Sequence, residues 1–440
     1  MSQILKNILR SRWYPLIFQI FTLFFFSIIV YTLITGPASP HDNFGTALTW
    51  VLWWPIIPFI FLLFGRFWCA ICPFATINDI VQKFAGIKLK VPNFLKKYGI
   101  WIIDATFILI TWSDHIWGIV ENPRGSGILL LLITTGVIFS GVLFERRTWC
   151  RYLCFLGGLA GNYSRTGMLK LRATPDICKN CTTLACYKGS KNTPGCPLFE
   201  VPRNMQTSAT CNLCGYCVKN CPNDSINISF KPPASELWFI KRPRLEESFL
   251  AIVIMGIVFV QNITMLEIWQ KWQKALTNIL HTDNYAVLFT VLFLIAMAVP
   301  VVLTLIASKG VALVNKQKSW ENFARYGYAL IPLDLAGHLA HNLFHLLAEG
   351  KSIFYTGLTF FTGQELDNMS RSIVGSSTIT LLQYSLLVLG AILSLYTAWK
   401  ITKNNEPKNT FNVFLPFGIL IIVFFLINIY LFMLPMAMRT

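Results

Sequence analysis

Apolar residues run through this chain in long unbroken blocks, not at the two-residue or 3.6-residue periods of half-buried strands and surface helices. Nine stretches of about 20 residues have the length needed to cross a hydrocarbon layer. They fall near 14–35, 45–64, 98–120, 127–144, 248–267, 285–307, 326–348, 375–400 and 411–435. The pattern predicts an all-α integral membrane protein with about nine transmembrane helices. Between the fourth and fifth blocks, residues 166–245 lack any such run and read as an inserted domain. The expected organisation is a four-span unit over 1–165, the insertion over 166–245 and a five-span unit over 246–440.

Composition agrees. The chain is 54% hydrophobic and 13% charged, against about 25% charged in an ordinary globular domain, which excludes soluble, disordered and secreted disulfide-scaffold classes. A net charge of +17 could suggest nucleic acid, but the positive-inside rule absorbs it. With Lys6, Arg10 and Arg12 placed in the cytoplasm, only Arg124, Lys271, Lys274, Lys351, Arg371 and Arg439 of the 37 basic residues reach the outer side. The expected setting is the inner (cytoplasmic) membrane, multi-pass. The N-terminus and the insertion are then cytoplasmic and the C-terminus outside, with lipid as a partner and nucleic acid not. No cleaved signal peptide is expected, since the first apolar block is long and lacks a small-residue cleavage site.

All 12 cysteines lie between positions 69 and 221, in a compartment where thiols stay reduced and metal or redox chemistry is favoured over disulfides. Cys211-x2-Cys214-x2-Cys217-x3-Cys221-Pro222 has the spacing of a bacterial ferredoxin run, whose fourth cysteine ligates the other cluster of a pair. Upstream stand Cys178-x2-Cys181-x4-Cys186 and Cys196-Pro197. The crossed arrangement assigns Cys178, Cys181, Cys186 and Cys221 to one [4Fe–4S] cluster, and Cys196, Cys211, Cys214 and Cys217 to a second. Two four-cysteine zinc knuckles are the alternative; the tight run favours iron–sulfur.

The other four cysteines form a repeat. Arg66-Phe67-Trp68-Cys69-x2-Cys72-Pro73 follows the second block, and Arg147-Thr148-Trp149-Cys150-x3-Cys154-Phe155 follows the fourth. Parallel repeats about an axis along the membrane normal bring both pairs together, with each tryptophan anchoring at the interface. The set Cys69, Cys72, Cys150 and Cys154 then holds a third iron–sulfur cluster or a soft metal, cycles as dithiols, or stays as inert thiols.

These motifs in this order resemble the membrane polyferredoxins. That family includes the quinol-oxidising membrane subunit of periplasmic nitrate reductase and the C-terminal half of the nitrous-oxide reductase maturation and electron-donor protein. The likeness spans about residues 14–245. It implies electron movement between the quinone pool, or a cytoplasmic donor, and a partner on the outer side. The family's paired motif is usually C-x3-C-P, whereas this chain has C-x2-C-P in the first copy and Phe155 in place of proline in the second. Five further blocks follow the insertion, which the shorter relatives lack.

The seventh block supplies separate chemistry. Pro332-x-Asp334-x3-His338-x2-His341-Asn342-x2-His345 places three imidazoles within a sector of about 60°, with Asp334 one turn away. Ionisable groups inside a membrane are costly and are functional candidates by default. This face could ligate haem or copper, bind a quinol head group or relay protons, or serve as an interhelical polar network. Met433, Met436 and Met438 add soft thioethers near the C-terminus, Asp104 is a second buried acid, and the Lys241-Arg242-Pro243-Arg244 run meets anionic lipid or an acidic donor.

Together these features predict a membrane electron-transfer protein, for which a quinol dehydrogenase-type oxidoreductase component is one open form. It would link the [4Fe–4S] clusters to a quinone, haem or extracytoplasmic redox partner. The alternative is a copper-handling or metallocofactor-maturation protein that uses the clusters as reductant.

Overall fold

The computed structural model describes residues 2–364 and 370–435. Each apolar block becomes a helix: Leu16–Thr35, Trp54–Phe64, Asn93–Trp117, Pro123–Leu143, Leu245–Ile263, Tyr285–Asn315, Ile331–Ala348, Ser376–Asn405 and Thr410–Met433. Among the described residues, seven helical segments are long and apolar enough to cross a membrane. The Asn93–Trp117 and Ile331–Ala348 helices fall short of that measure. Asp104 and Asp114 in the first, and Asp334 with three histidines in the second, lower their hydropathy. Length and composition thus support seven spans where the block count expected nine.

Two compact units divide the chain. The first takes residues up to 34, 59–103 and 127–236; the second takes 35–58, 104–126 and everything from 237 onward.

In the first unit, strand β1 (Leu169–Ala173) pairs antiparallel with β2 (Ile226–Phe230), with Leu169 opposite Phe230 and Ala173 opposite Ile226. The ribbon closes the base of the intervening cysteine-rich segment. Its strands alternate, so Leu169, Leu171, Ile226 and Ile228 point into one small core. Leu9, Tyr14, Leu213 and Val218 complete that core, and Cys186, Cys211, Cys217 and Cys221 pack against it. The Ser2–Arg10 helix is amphipathic. It buries Leu9 in this core, leaves Ile4 and Ile8 exposed, and ties itself down through Lys6, which pairs with Asp224 at 2.9 Å and donates to Asn227 Oδ1 at 2.9 Å. Gly215 sits beneath it at φ +77°, where an added Cβ would lie 2.5 Å from the Leu9 carbonyl oxygen. Only glycine suits that spot in the cysteine run.

The tryptophans of the two repeats turn inward. Trp68 and Trp149 pack on the core formed by Cys72, Phe74, Ala75 and Val137, and the Trp149 ring lies against Gly136, close enough that a Cβ there would be 2.6 Å away. They wall the cysteine site, which their expected role as interface anchors did not include.

The second unit is a helical bundle. The Leu245–Ile263 helix is buried on nearly every side. The Ile331–Ala348 and Ser376–Asn405 helices approach closely at Gly390, where a Cβ would stand 2.3 Å from the Ala336 Cβ. Small residues permit such contact between apolar helices, where packing and polar bonds drive association. Ser394 Oγ accepts from the Leu333 amide at 2.9 Å and Gln383 donates to the Ala340 carbonyl at 3.0 Å, fixing the register. Ahead of Pro55 and Pro58, which cannot donate backbone hydrogen bonds, residues Ala47–Trp53 form a π-helical turn. It brings Trp54 to 6.0 Å from the His338 ring.

Candidate functional site

The cysteines of the first unit gather into three sets. Cys178, Cys181, Cys186 and Cys221 line one cavity, together with Pro202, Arg203 and Ser225. The short helices Pro175–Lys179 and Ala185–Lys188 present Cys178 and Cys186, and the loop between them carries Cys181. Cys221 comes from the far end of the ferredoxin-type run and reaches the cavity because β2 begins five residues later and returns beside β1. The Ser225 amide donates to Cys221 Sγ at 3.3 Å, which favours negative charge on that sulfur.

Cys196, Cys211, Cys214 and Cys217 form the second set. Burial pushes the Cys211 thiol up to about 12, with Cys196 and Cys214 adding to the rise. Cys214 rises to about 12 through burial and then Cys196. Cys217 rises too, through burial and then Cys211, Cys214, Cys196 and, from the first set, Cys186. Buried thiols crowded in this way ionise only when a cationic centre compensates them.

The third set joins the two repeats. Cys69 lies in the short Trp68–Ile71 helix and Cys150 in Thr148–Tyr152. Cys72 stands at the N-terminus of the Pro73–Ala85 helix, and Cys154 at that of Phe155–Thr166. Both second cysteines therefore face amide-rich helix ends that favour negative charge, and the Gly157 amide donates to Cys154 Sγ at 3.3 Å. Proline is suited to the first helical position without being required there, so Phe155 fills the same role as Pro73. Burial holds the Cys154 thiol up at about 11, with Cys69 adding to it, and Cys150 is raised by burial in the company of Cys154, Cys72 and Cys69.

Two arginines brace this set. Arg66 donates to the Cys150 carbonyl at 3.2 Å and to the Ala209 carbonyl at 2.7 Å, with its Nε 3.4 Å from Cys69 Sγ. Arg147 donates to the Cys69 carbonyl at 2.9 Å and forms a forked pair with Asp79, 2.7 Å at its shortest. From the Leu16–Thr35 helix, Gln19 donates to the Ala70 carbonyl at 2.9 Å and Thr22 bonds the Ile71 carbonyl. These supporting residues were not read as functional from the sequence. The visible signals are the arginines that open the two repeats and Gln19, a lone amide inside an apolar block.

The sets lie in succession. The first and second share the core of Leu213 and Val218, and Cys214 of the second packs on Ala70 and Ile71, between Cys69 and Cys72 of the third.

In the second unit, Asp334, His338, His341 and His345 share one face of the Ile331–Ala348 helix. Asp334 and His338 are fully buried, His341 almost so, and His345 is partly exposed. Asn262 Nδ2 donates to the Val258 carbonyl at 2.9 Å, which turns its Oδ1 toward His341 Nδ1 at 2.9 Å. The His341 and His345 rings stand 5.1 Å apart, and His345 Nδ1 lies 3.6 Å from Glu349. His115 lies apart from this stripe, stacked 5.1 Å from Phe289. Both oxygens of Asp104 are buried and make no hydrogen bond among the described residues. Among those residues no group of three or more His, Cys, Asp or Glu side chains is arranged to hold a metal ion. Met433 is exposed; Met436 and Met438 lie outside the described residues.

Residues 46–92 and 126–172 each match the family model of a 4Fe–4S binding domain. The two copies coincide with the two R-x-W-C repeats. The chain is also 26% identical over 226 residues to YccM of Escherichia coli (strain K12), a protein named for electron transport. That match spans 46% of this chain and 60% of the relative's length. No solved structure matches the chain.

Proposed function

We propose that this chain is a membrane electron-transfer protein. In this reading Cys178, Cys181, Cys186 and Cys221 hold one [4Fe–4S] cluster, and Cys196, Cys211, Cys214 and Cys217 a second. Cys69, Cys72, Cys150 and Cys154 hold a third. The observation that carries it is the packing of Cys214 on Ala70 and Ile71, which makes the three sets consecutive. The 4Fe–4S match over both repeats and the likeness to a protein named for electron transport support it. Once bound, such clusters supply one-electron chemistry.

The chain's own residues do the rest. Arg66 and Arg147 hold the two halves of the third set in register, and both offset the charge of its thiolates. Trp68 and Trp149 keep water from it. At the histidine face we propose a quinone site. There the orientation of Asn262 keeps the proton of His341 on Nδ1 and leaves Nε2 able to accept one. His345 and Glu349 then continue a line of proton-bearing groups toward the exposed end of the helix. A quinone reduced here takes up protons with its electrons, and this line of groups supplies a path for them. The orientation with the cysteine-rich segment in the cytoplasm, in an inner membrane, belongs to the same proposal.

Two measurements test it. Iron and acid-labile sulfide of the full chain should each approach about twelve per molecule, against about eight if only the first two sets are filled. Dithionite-reduced protein should be reoxidised by a menaquinone analogue, and His341→Ala should slow this at least tenfold with iron content unchanged. Absence of iron, or reoxidation indifferent to quinone, would overturn the reading.

A further inference from the structure

The surroundings of the Cys178, Cys181, Cys186 and Cys221 cavity carry a charge pattern that electron transfer within the chain does not use. Lys179, Lys188, Lys191 and Arg203 are exposed on the segments that build the site, and Arg203 lines the cavity itself. The exposed acids nearby are fewer. Asp176 is one; Asp224 is the other, and it is already engaged by Lys6 at 2.9 Å and by Arg10. Glu200 is partly buried. Beside Cys178, Ile177 leaves 44% of its surface exposed, an apolar spot within a basic surround. In the second cysteine set Cys214 is buried against Ala70 and Ile71.

We propose that this face is a docking surface for a soluble one-electron carrier protein with an acidic binding face. The proposal rests on the reading that these four cysteines hold a cluster. A basic surround steers an acidic partner and fixes its orientation. A small apolar centre fits the limited, transient contacts that redox partners make. An anionic bilayer would also meet lysines, but here Arg203 lines a thiol-lined cavity and the exposed lysines lie on the segments that carry its cysteines, where a carrier's redox group must come close. In the transfer itself the carrier loses one electron and the chain gains it; no bond forms or breaks and no proton moves.

The test uses the full chain in phosphatidylcholine nanodiscs and a purified acidic flavodoxin as probe. Its Kd is measured by titration at low and high salt, for the native protein and for the Lys179→Glu/Lys188→Glu double variant. Affinity should fall about tenfold at high salt, and about tenfold in the double variant at low salt, with iron content unchanged. Dithionite, which needs no docking, should reduce both proteins equally. Affinity indifferent to salt and to both substitutions overturns the proposal. So does a double variant that loses binding to phosphatidylglycerol vesicles but keeps the flavodoxin, which would make this face a lipid surface. If dithionite fails to reduce the native protein, the cluster reading falls by itself, and the Kd values still decide the docking.

Discussion

Arg147 donates to the carbonyl oxygen of Cys69, 78 residues earlier in the chain, at 2.9 Å. Arg66, its counterpart in the other repeat, donates to the carbonyl of Cys150 at 3.2 Å. Each repeat thus supplies the clamp that positions the other repeat's cysteine. The Arg147 side chain is 1% exposed and its partner Asp79 29%. Replacing it with alanine should destabilise the first unit by about 3 kcal/mol, the low end for breaking a buried pair, because Asp79 keeps some contact with water. The informative readout is iron content: Arg147→Ala should lose about four atoms per chain and Arg147→Lys fewer. Full retention in both would restrict the arginine to holding the fold.

Gly215→Ala should free the N-terminal helix. The new methyl group meets the Leu9 carbonyl at 2.5 Å in a left-handed backbone, so strain and collision add. Gly118 has φ +58° and nothing within 4 Å of an added Cβ, so Gly118→Ala carries the backbone cost alone, about 1 kcal/mol. Limited proteolysis near Arg10 and Arg12 should accelerate in the first variant and stay unchanged in the second.

Lys231 gives the base of the cysteine segment a pH dependence. Burial lowers its ammonium from 10.5 to about 8, against the pull of Glu236, which lies 3.2 Å away. In the unfolded chain the ordinary value returns. Between pH 8 and 10.5 the unfolded state therefore binds more protons, and stability rises with pH across that window. Below about 8 both states are protonated and the burial cost is fully felt. Hydrogen exchange of the β1 and β2 amides, corrected for intrinsic rates, should show protection increasing from pH 8 to 10, and Lys231→Met should flatten the trend.

Gly390→Ala tests the bundle behind the histidine face. A Cβ 2.3 Å from that of Ala336 forces the two helices apart, at a cost of about 1–3 kcal/mol. Thermal inactivation of quinone-dependent reoxidation should occur at lower temperature, while dithionite reduction of the clusters is unaffected.

The sequence made the helices legible because apolar blocks of span length have few other uses. The spacing also groups Cys178, Cys181, Cys186 and Cys221, and these four line one cavity. Other features left no local trace. β1 and β2 are five residues each and pair across more than 50 positions, so neither carries a period long enough to read. Lys6 and Arg10 were counted only as orientation charges, yet both are spent on Asp224; composition cannot tell a free charge from a paired one. The arginines of the R-x-W-C motifs were visible, but their partners lie in the opposite repeat, a relation that only folding creates.

The third cysteine set carries a constraint on ancestry. Each repeat contributes two thiols and one arginine, and each arginine serves the cysteines of the other copy. A shorter chain with a single hairpin would own half a site and an arginine whose carbonyl partner lies on another chain. Such a chain could complete the set only by pairing with a second copy of itself, so fusion of two copies would have converted a symmetric dimer into one polypeptide.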